Sequence, residues 1–324
     1  MHIVVAIYSP NPVWTMPEMH VEELRRRFPD STFVRAASEA EAIRLIPDAD
    51  VALTSVLTVD VFAAARRLRW VQSPAAGVGS MLFPAMRDSA VVLTNSRGMS
   101  AVAVAEHAFA LLLAALRRLP EAVTAQRERQ WIQADLSRLP MLRGRTLGCV
   151  GLGAIGTEVA RIGAGFGCRV IGTRREADAP VPAGVDEAWG PDGLDRLLAG
   201  SDVVVLAVPL TPETRGLIGA RELRLMKPTA WLVNVARGRL VDEAALVEAL
   251  RAGTPAGAAL DVFRHEPLDP ASPLWSMPNV LLTPHVAGFR EDYWEAAIDL
   301  FSENLRRFVS GQPLRNVVRK DAGY

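Results

Sequence analysis

Two cysteines in 324 residues leave little room for cross-links. Cys149 and Cys168 each sit in an apolar run that reads as a strand, with no CxxC pair and no histidine spacing beside them, so a disulfide framework and a structural metal site are excluded. Lysine is nearly absent, at positions 227 and 320 only, and the other positive charges are arginines scattered along the chain. Lys+Arg and Asp+Glu balance at 36 each, which removes any global field that would draw in nucleic acid or an anionic membrane. The most apolar helical stretch, residues 101–119, is interrupted by Glu106 and His107 and is too polar and too short for a membrane span. The opening MHIVVAIYSP has no basic leader and no cleavage site. A cytoplasmic protein without membrane or nucleic-acid partners is expected. No internal period of about 20–50 residues and no low-complexity segment is present, which excludes solenoids.

What the chain does have is alternation. Half its residues are hydrophobic, and short β-rich runs alternate with helical patterns from the first residues. The runs at 3–7, 32–36, 51–54, 70–73 and 91–95, with helices expected over 17–28 and 39–46, predict a small doubly wound parallel sheet. A long helix follows Ser100, then a polar connection (QRERQWIQADLSRLP). Six further runs, at 147–152, 168–173, 203–209, 230–236, 257–263 and 280–285, predict a second parallel sheet of the dinucleotide-binding kind. A helical stripe over 291–310, built on Trp294, Ile298, Phe301, Leu305 and Phe308, is expected to pack back on the first domain. The fold class is therefore α/β with two doubly wound domains, the first flavodoxin-like and the second Rossmann-like. Residues 1–99 with 287–324 are expected to form the substrate domain and 100–286 the dinucleotide-binding domain.

Gly151-Leu-Gly153-Ala154-Ile155-Gly156 closes one apolar run and opens onto a helical pattern. The first glycine permits a tight turn, the second lets a pyrophosphate approach the backbone, and the third lets helix and strand pack closely. Free N–H groups at the helix start then face the phosphates. At the end of the next run, where an acidic side chain would bond the ribose hydroxyls of NAD, stand Thr173, Arg174 and Arg175. Two guanidinium groups suit a 2′-phosphate, so NADPH is expected ahead of NADH. NAD remains the alternative if these arginines only face solvent.

Seven segments in one order carry a resemblance: AAGVG (75–79), VAEHAFALLLAALR (104–117), GLGAIG (151–156), PLTPETRGLI (209–218), VNVARG (233–238), ALDVFRHEP (259–267) and TPHVAG (283–288). Together they resemble the D-isomer-specific 2-hydroxyacid dehydrogenases, in particular the NADP-preferring, glyoxylate/hydroxypyruvate reductase-like branch. The resemblance implies a catalytic Arg237, Glu266 and His285. It also implies a substrate-carboxylate cradle at Ala76, Gly77 and Val78, although family members often carry Asp where this chain has Gly79. Val208, Pro209 and Thr214 would line the adenosine half of the cofactor, Val235 and Ala236 the nicotinamide half, Asp261 would bond the carboxamide, and Gly288 would also contact the cofactor.

The chemistry explains why such a trio is needed. A 2-oxo acid carries a carboxylate beside a ketone, and a planar fork such as Arg237 grips the one while polarising the other. Once hydride reaches the carbonyl carbon the oxygen needs a proton, and histidine, here His285, is the residue type suited to supply it. Glu266 beside that imidazole is expected to favour its protonated form. Of the other histidines, His2 and His20 belong to no motif, His107 lies in an apolar helix where interface packing is expected, and His265 is expected to be exposed. The predicted reaction is reduction of a small 2-oxo acid to the D-2-hydroxy acid, in a cleft between the domains. Alternatives are a formate- or phosphite-type dehydrogenase, the formate type being disfavoured by Glu266, and a nucleotide-sensing protein of the co-repressor kind. Loops 9–17 and 54–58, with Trp14 or Trp131, are candidates for shaping the substrate pocket, and the apolar helix 101–119 suggests a homodimer contact.

Overall fold

Continuous runs of buried β-branched and small residues build two parallel sheets, because strands covered by helices on both faces have no polar side to present. The computed structural model describes every residue except Pro10 and Tyr324. Pro10, part of the loop 9–17 considered for the substrate pocket, therefore lies outside the described residues. The chain divides into two units, Met1–Met99 with Arg290–Tyr324, and Ser100–Phe289. Residues 287–289 group with the second unit rather than the first. Ala287 explains this: its side chain lies in the core of the second unit and its N–H donates to Asp261 Oδ2 at 2.9 Å.

In the first unit, strands β1 (His2–Ala6), β2 (Thr32–Arg35), β3 (Val51–Thr54), β4 (Trp70–Gln72) and β5 (Val92–Thr94) pair in the order β2-β1-β3-β4-β5, all parallel. Helices α1 (Glu18–Arg27), α2 (Glu39–Leu45), α3 (Val59–Ala64) and α4 (Pro84–Asp88) connect them. The flavodoxin-like order anticipated from the sequence is present. The C-terminal helix of this unit, Tyr293–Val309, brings Ile298, Phe301 and Leu305 against Ile3, Val5, Leu53 and Trp70. Phe301 stacks on Trp70 with ring centroids 5.3 Å apart, and burying each such side chain contributes about 1.5–3 kcal/mol.

The second unit begins with α5 (Ala101–Leu116) and α6 (Leu119–Arg127). The apolar stretch 101–119 is thus two helices, parted where Arg118 takes a left-handed φ of 53°. Strands β6 (Thr146–Val150), β7 (Arg169–Thr173), β8 (Glu187–Trp189), β9 (Val203–Leu206), β10 (Trp231–Asn234), β11 (Gly257–Leu260) and β12 (Val280–Leu282) pair in the order β12-β11-β10-β9-β6-β7-β8. Helices α7 (Ala154–Gly165), α8 (Leu194–Gly200), α9 (Ala220–Leu225) and α10 (Glu243–Arg251) cover this sheet, and Tyr293–Val309 is then α11. Seven strands replace the six read from the sequence. The extra one, β8, is a short edge strand of only partly buried residues behind a Pro-containing loop, so it lacks the apolar run that marks the others. The order reverses between β6 and β9, and the crevice at their C-terminal ends is where open α/β sheets take ligands.

Most of α5 is consumed by its own unit: Val104, Ala105, Ala108, Phe109, Leu111, Leu112 and Leu116 all lie in the core. Exposed apolar side chains occur at Val102 (48%) on α5 and further on at Leu119 (50%), Val123 (44%), Trp131 (90%) and Met141 (69%). Both cysteines are free and buried, and burial pushes the Cys149 thiol up to about 12, which makes it an inert core residue. Among the described residues no cluster could hold a metal ion, and no helix is long and apolar enough to cross a membrane.

Candidate active site

The three glycines after β6 differ in what surrounds them. Gly151 has φ 99°, and a Cβ there would lie 2.6 Å from Val208 Cγ1 and 2.8 Å from Ala207 O. At Gly156 a Cβ would stand 1.8 Å from the carbonyl oxygen of Gly151, so the helix start can press onto the turn only without a side chain. Around Gly153 there is nothing within 4 Å. No side chain caps α7, and Gly153 and Ala154 are exposed while Ile155 is partly buried. An open glycine at an uncapped helix start accommodates a pyrophosphate, so the residues present fit a dinucleotide.

Thr173, at the end of β7, is buried, and its carbonyl accepts from Gly151 N at 3.1 Å and Leu152 N at 2.9 Å. It anchors the glycine turn. The two arginines after it part company. Arg174 folds its guanidinium into the following loop, donating to Pro180 O at 2.7 Å, to Ala177 O at 3.1 Å and to Ala179 O. Arg175 is exposed. A bond from Thr211, and behind it the charge of Arg175, holds the Glu213 carboxyl below its ordinary range, which places Arg175 on the side of the 209–214 loop. There Thr214 Oγ1 donates to Pro209 O at 2.7 Å and accepts from Thr211 N at 2.8 Å. Val208 is partly buried over Gly151 and Pro209 is exposed.

Arg237, Glu266 and His285 come from the C-terminal side of β10, β11 and β12. Val235 and Ala236 are buried, and the buried Asn234 clamps the turn after β10: its Oδ1 accepts from Ala236 N at 3.1 Å and its Nδ2 donates to Arg237 O at 3.0 Å. Arg237 donates from Nη1 to Ala236 O at 2.6 Å. Next to it, Gly238 meets another stretch of backbone, since a Cβ would lie 1.9 Å from the carbonyl carbon of Phe263. That crossing brings Arg237 close to the Glu266 turn. Glu266 Oε1 accepts from Phe263 N at 2.9 Å, and Oε2 lies 2.6 Å from His285 Nδ1. Burial pushes the Glu266 carboxyl up, but bonds from His285 and Phe263 N and the nearby charges of His285 and Arg237 outweigh it, leaving the group below its usual range. Burial draws the Arg237 guanidinium down, with Glu266 opposing. The Glu266 side chain is 34% exposed and that of His285 43%, so both reach solvent.

His285 has φ 55°, a left-handed conformation that costs a non-glycine residue about 1–3 kcal/mol and must be held by its surroundings. Asp261 holds it. The main-chain oxygen of Asp261 accepts from His285 N at 2.8 Å, Oδ1 accepts from Val286 N at 2.9 Å, and Oδ2 accepts from Ala287 N at 2.9 Å. The residue is fully buried. Of its two carboxylate oxygens, Oδ2 accepts from a single donor among the described residues. Gly288, partly buried, follows this turn.

In the first unit the loop after β4 leaves Ala76 and Gly77 exposed and Val78 buried. Asn95 Nδ2 donates to Ala76 O at 2.8 Å, and Ser73 Oγ accepts from Ala75 N at 3.2 Å. Gly79, in place of the family's frequent Asp, opens a short 3-10 turn closed by Met81 N to Val78 O at 2.9 Å. Beside the loop, Tyr293 donates to Pro74 O at 2.9 Å and meets Trp14 edge-on, with centroids 6.0 Å apart. Burial pushes the Tyr293 hydroxyl up to about 12. Trp131, by contrast, stands 90% exposed.

Three polar residues, Asn95, Asn234 and Thr283, were not singled out from the sequence, and His107 was read there only as an interface residue. Asn95 and Asn234 are buried amides at strand ends, a signal visible only as a lone polar side chain closing an apolar run. His107 and Thr283 pair across 176 residues, with His107 Nε2 2.9 Å from Thr283 Oγ1. His107 is partly buried and its ring bonds within its own unit, and His265 is exposed as expected.

Residues 109–287 match the model of the D-isomer specific 2-hydroxyacid dehydrogenase, NAD binding domain, family. The glyoxylate reductase of Aeropyrum pernix is 38% identical over 299 residues, covering 90% of this chain and 87% of its own. That of Korarchaeum cryptofilum is 40% identical over 297 residues, covering 88% and 87%. Among solved structures, the NADPH-dependent glyoxylate/hydroxypyruvate reductase of Sinorhizobium meliloti, in complex with NADP and sulfate, matches with a TM-score of 0.85 at 32% identity over 100% of both chains. Set beside the glycine turn and the Arg237, Glu266 and His285 cluster, these likenesses leave one conclusion: the chain belongs to the D-isomer-specific 2-hydroxyacid dehydrogenase family and is a nicotinamide-dependent D-2-hydroxyacid dehydrogenase.

Proposed function

We propose that this enzyme reduces a small 2-oxo acid of the glyoxylate or hydroxypyruvate type to the D-2-hydroxy acid, using NADPH ahead of NADH. The observation that carries the reading is the 2.6 Å contact between His285 Nδ1 and Glu266 Oε2, with Arg237 close enough for its charge to be felt. When bound, the reduced nicotinamide supplies hydride to the carbonyl carbon. Arg237 grips the substrate carboxylate through its planar fork and polarises the ketone oxygen. Glu266, ionised and therefore an acceptor, takes the Nδ1–H bond and fixes the ring, so that Nε2 is the atom left to give a proton to the developing alkoxide. Carbon gains hydride, oxygen gains the proton, and His285 ends neutral. In the first unit, the exposed backbone of Ala76 and Gly77, with Val78, is the proposed anion cradle.

The similarity to glyoxylate reductases over most of the chain supports the substrate class. Arg175 supports the NADPH preference, and the matching NADP complex is in line with it. Arg174 contributes by shaping the loop, since its guanidinium is already bonded to carbonyls. Glyoxylate, hydroxypyruvate and larger 2-oxo acids assayed with both cofactors test the reading: it expects turnover on the small substrates and a higher kcat/KM with NADPH. Saturable cofactor binding with no turnover on any 2-oxo acid would favour a sensing role instead.

A homodimer is part of the same proposal. Its contact is proposed along α5 and the following 119–141 segment, where Val102, Leu119, Val123, Trp131 and Met141 are exposed. Light scattering on the wild type and on Trp131→Glu tests it, a dimer giving way to monomer being the expected result.

A further inference from the structure

We propose that His107, on α5, is a positioning residue for the reaction, acting through Thr283 and Asp261 to hold the turn that carries His285. The inference rests on the reading of His285 as proton donor and assigns a role to a histidine outside the reacting cluster.

The direction of the bonds follows from counting hydrogens. Thr283 has one hydroxyl hydrogen, and Oγ1 lies 2.7 Å from Asp261 Oδ1, a carboxylate oxygen that can only accept. The hydroxyl therefore donates to Asp261, and its oxygen accepts from His107 Nε2–H at 2.9 Å. The same Nε2 lies 3.5 Å from Asp261 Oδ1. Burial pushes the Asp261 carboxyl up, yet the bonds from His107, Thr283, Val286 N and Ala287 N bring it below its ordinary range, which keeps it an acceptor.

The chain His107, Thr283, Asp261 ends on three backbone groups: the N–H of His285 on the Asp261 main-chain oxygen, and those of Val286 and Ala287 on its carboxylate. These bonds bracket the residue with φ 55°. Without the His107 donor, the Thr283 hydroxyl is free to rotate away and Asp261 Oδ1 keeps only the bond from Val286 N. The strained residue between the remaining bonds then relaxes. What is lost first is the alignment of His285 with Glu266, because the Ala287 N–H still holds Asp261 Oδ2 and none of these bonds touches the glycine turn.

The test compares His107→Ala, His107→Gln, Thr283→Val and the Ala/Val double variant with His285→Ala, using glyoxylate and NADPH. His107→Ala is expected to lower kcat by roughly 10- to 100-fold, as a misplacement of about 1 Å does, with NADPH affinity changed less than about threefold. His107→Gln, whose amide N–H stands in for Nε2–H, restores most of kcat. Thr283→Val matches His107→Ala, and the double variant is no slower than the worse single one, because both act along one path. A readout independent of turnover is the proton resonance of His285 Nδ1 in enzyme labelled with 15N-histidine, identified by its disappearance in His285→Ala. His107→Ala should broaden or shift it. Wild-type kcat with an unmoved resonance overturns the proposal, as does a loss of kcat that Gln fails to restore. If His285→Ala itself turns over normally, the general-acid reading fails, and the resonance alone then decides whether His107 sets the geometry of that turn.

Discussion

His285 Nδ1 and Glu266 Oε2 are 2.6 Å apart, although 19 residues separate them and His285 adopts a conformation its side chain disfavours. The contact engages Nδ1 and leaves Nε2 as the remaining ring nitrogen. Replacing His285 with Ala is expected to lower kcat by roughly 100-fold or more while leaving NADPH binding in place. Stopped-flow turnover alongside cofactor titration measures both, and near-normal turnover would sink the assignment.

Glu266→Gln keeps a side chain able to accept from Phe263 N but removes the charge facing His285. A fall in kcat of about 10-fold or more is expected. The pair also has a pH signature. A carboxyl held below its unfolded value contributes stability above about pH 4.3 and loses that contribution as pH falls through its folded pKa. The gap in Tm between wild type and Glu266→Gln should therefore be constant near neutrality and shrink on acidification below that value. A gap that widens in acid would contradict the ionised assignment.

Arg237→Lys retains the charge and loses the fork. KM for the 2-oxo acid should rise by roughly 10-fold or more, because an ammonium cannot match a carboxylate bidentately. Unchanged KM would mean that Arg237 does not hold the carboxylate.

Gly153 and Gly156 separate cofactor binding from folding. A methyl group at Gly156 meets the Gly151 carbonyl, so Gly156→Ala is expected to cost about 1–3 kcal/mol or more and to lower Tm. At Gly153 the methyl group meets nothing within 4 Å in the protein, so Gly153→Ala should leave Tm nearly unchanged and weaken NADPH binding. Calorimetric unfolding and isothermal titration on the two variants provide the comparison, and equal effects on both quantities would refute the distinction.

Arg174 and Arg175 should behave differently. Arg175→Ala is expected to raise KM for NADPH by roughly 10-fold with little change for NADH, as loss of a phosphate contact does. Arg174→Ala, which removes three bonds to loop carbonyls, should lower Tm and affect both cofactors alike. Steady-state kinetics with the two cofactors decides, and a selective loss of NADPH in Arg174→Ala would reverse the assignment.

The amino-acid sequence by itself determined the alternation of strands and helices, because strands covered on both faces must be continuous apolar runs. It also determined the glycine turn, whose demands are local: a positive φ at Gly151 and no side chain at Gly156 are met within six residues. Arg237, Glu266 and His285 could be named from short motifs. Only the tertiary structure decided how they meet, since the close crossing of Gly238 over Phe263 joins the ends of two different strands. The same holds for Arg174, which the sequence offers to a phosphate and the folded loop turns to its own carbonyls. It holds for α5 as well, where only the folded unit shows which of the apolar side chains go into its core and that Val102 stays outside. His107 shows the reason most clearly: its meaning depends on Thr283, and no periodicity or spacing encodes a bond between side chains so far apart in the chain.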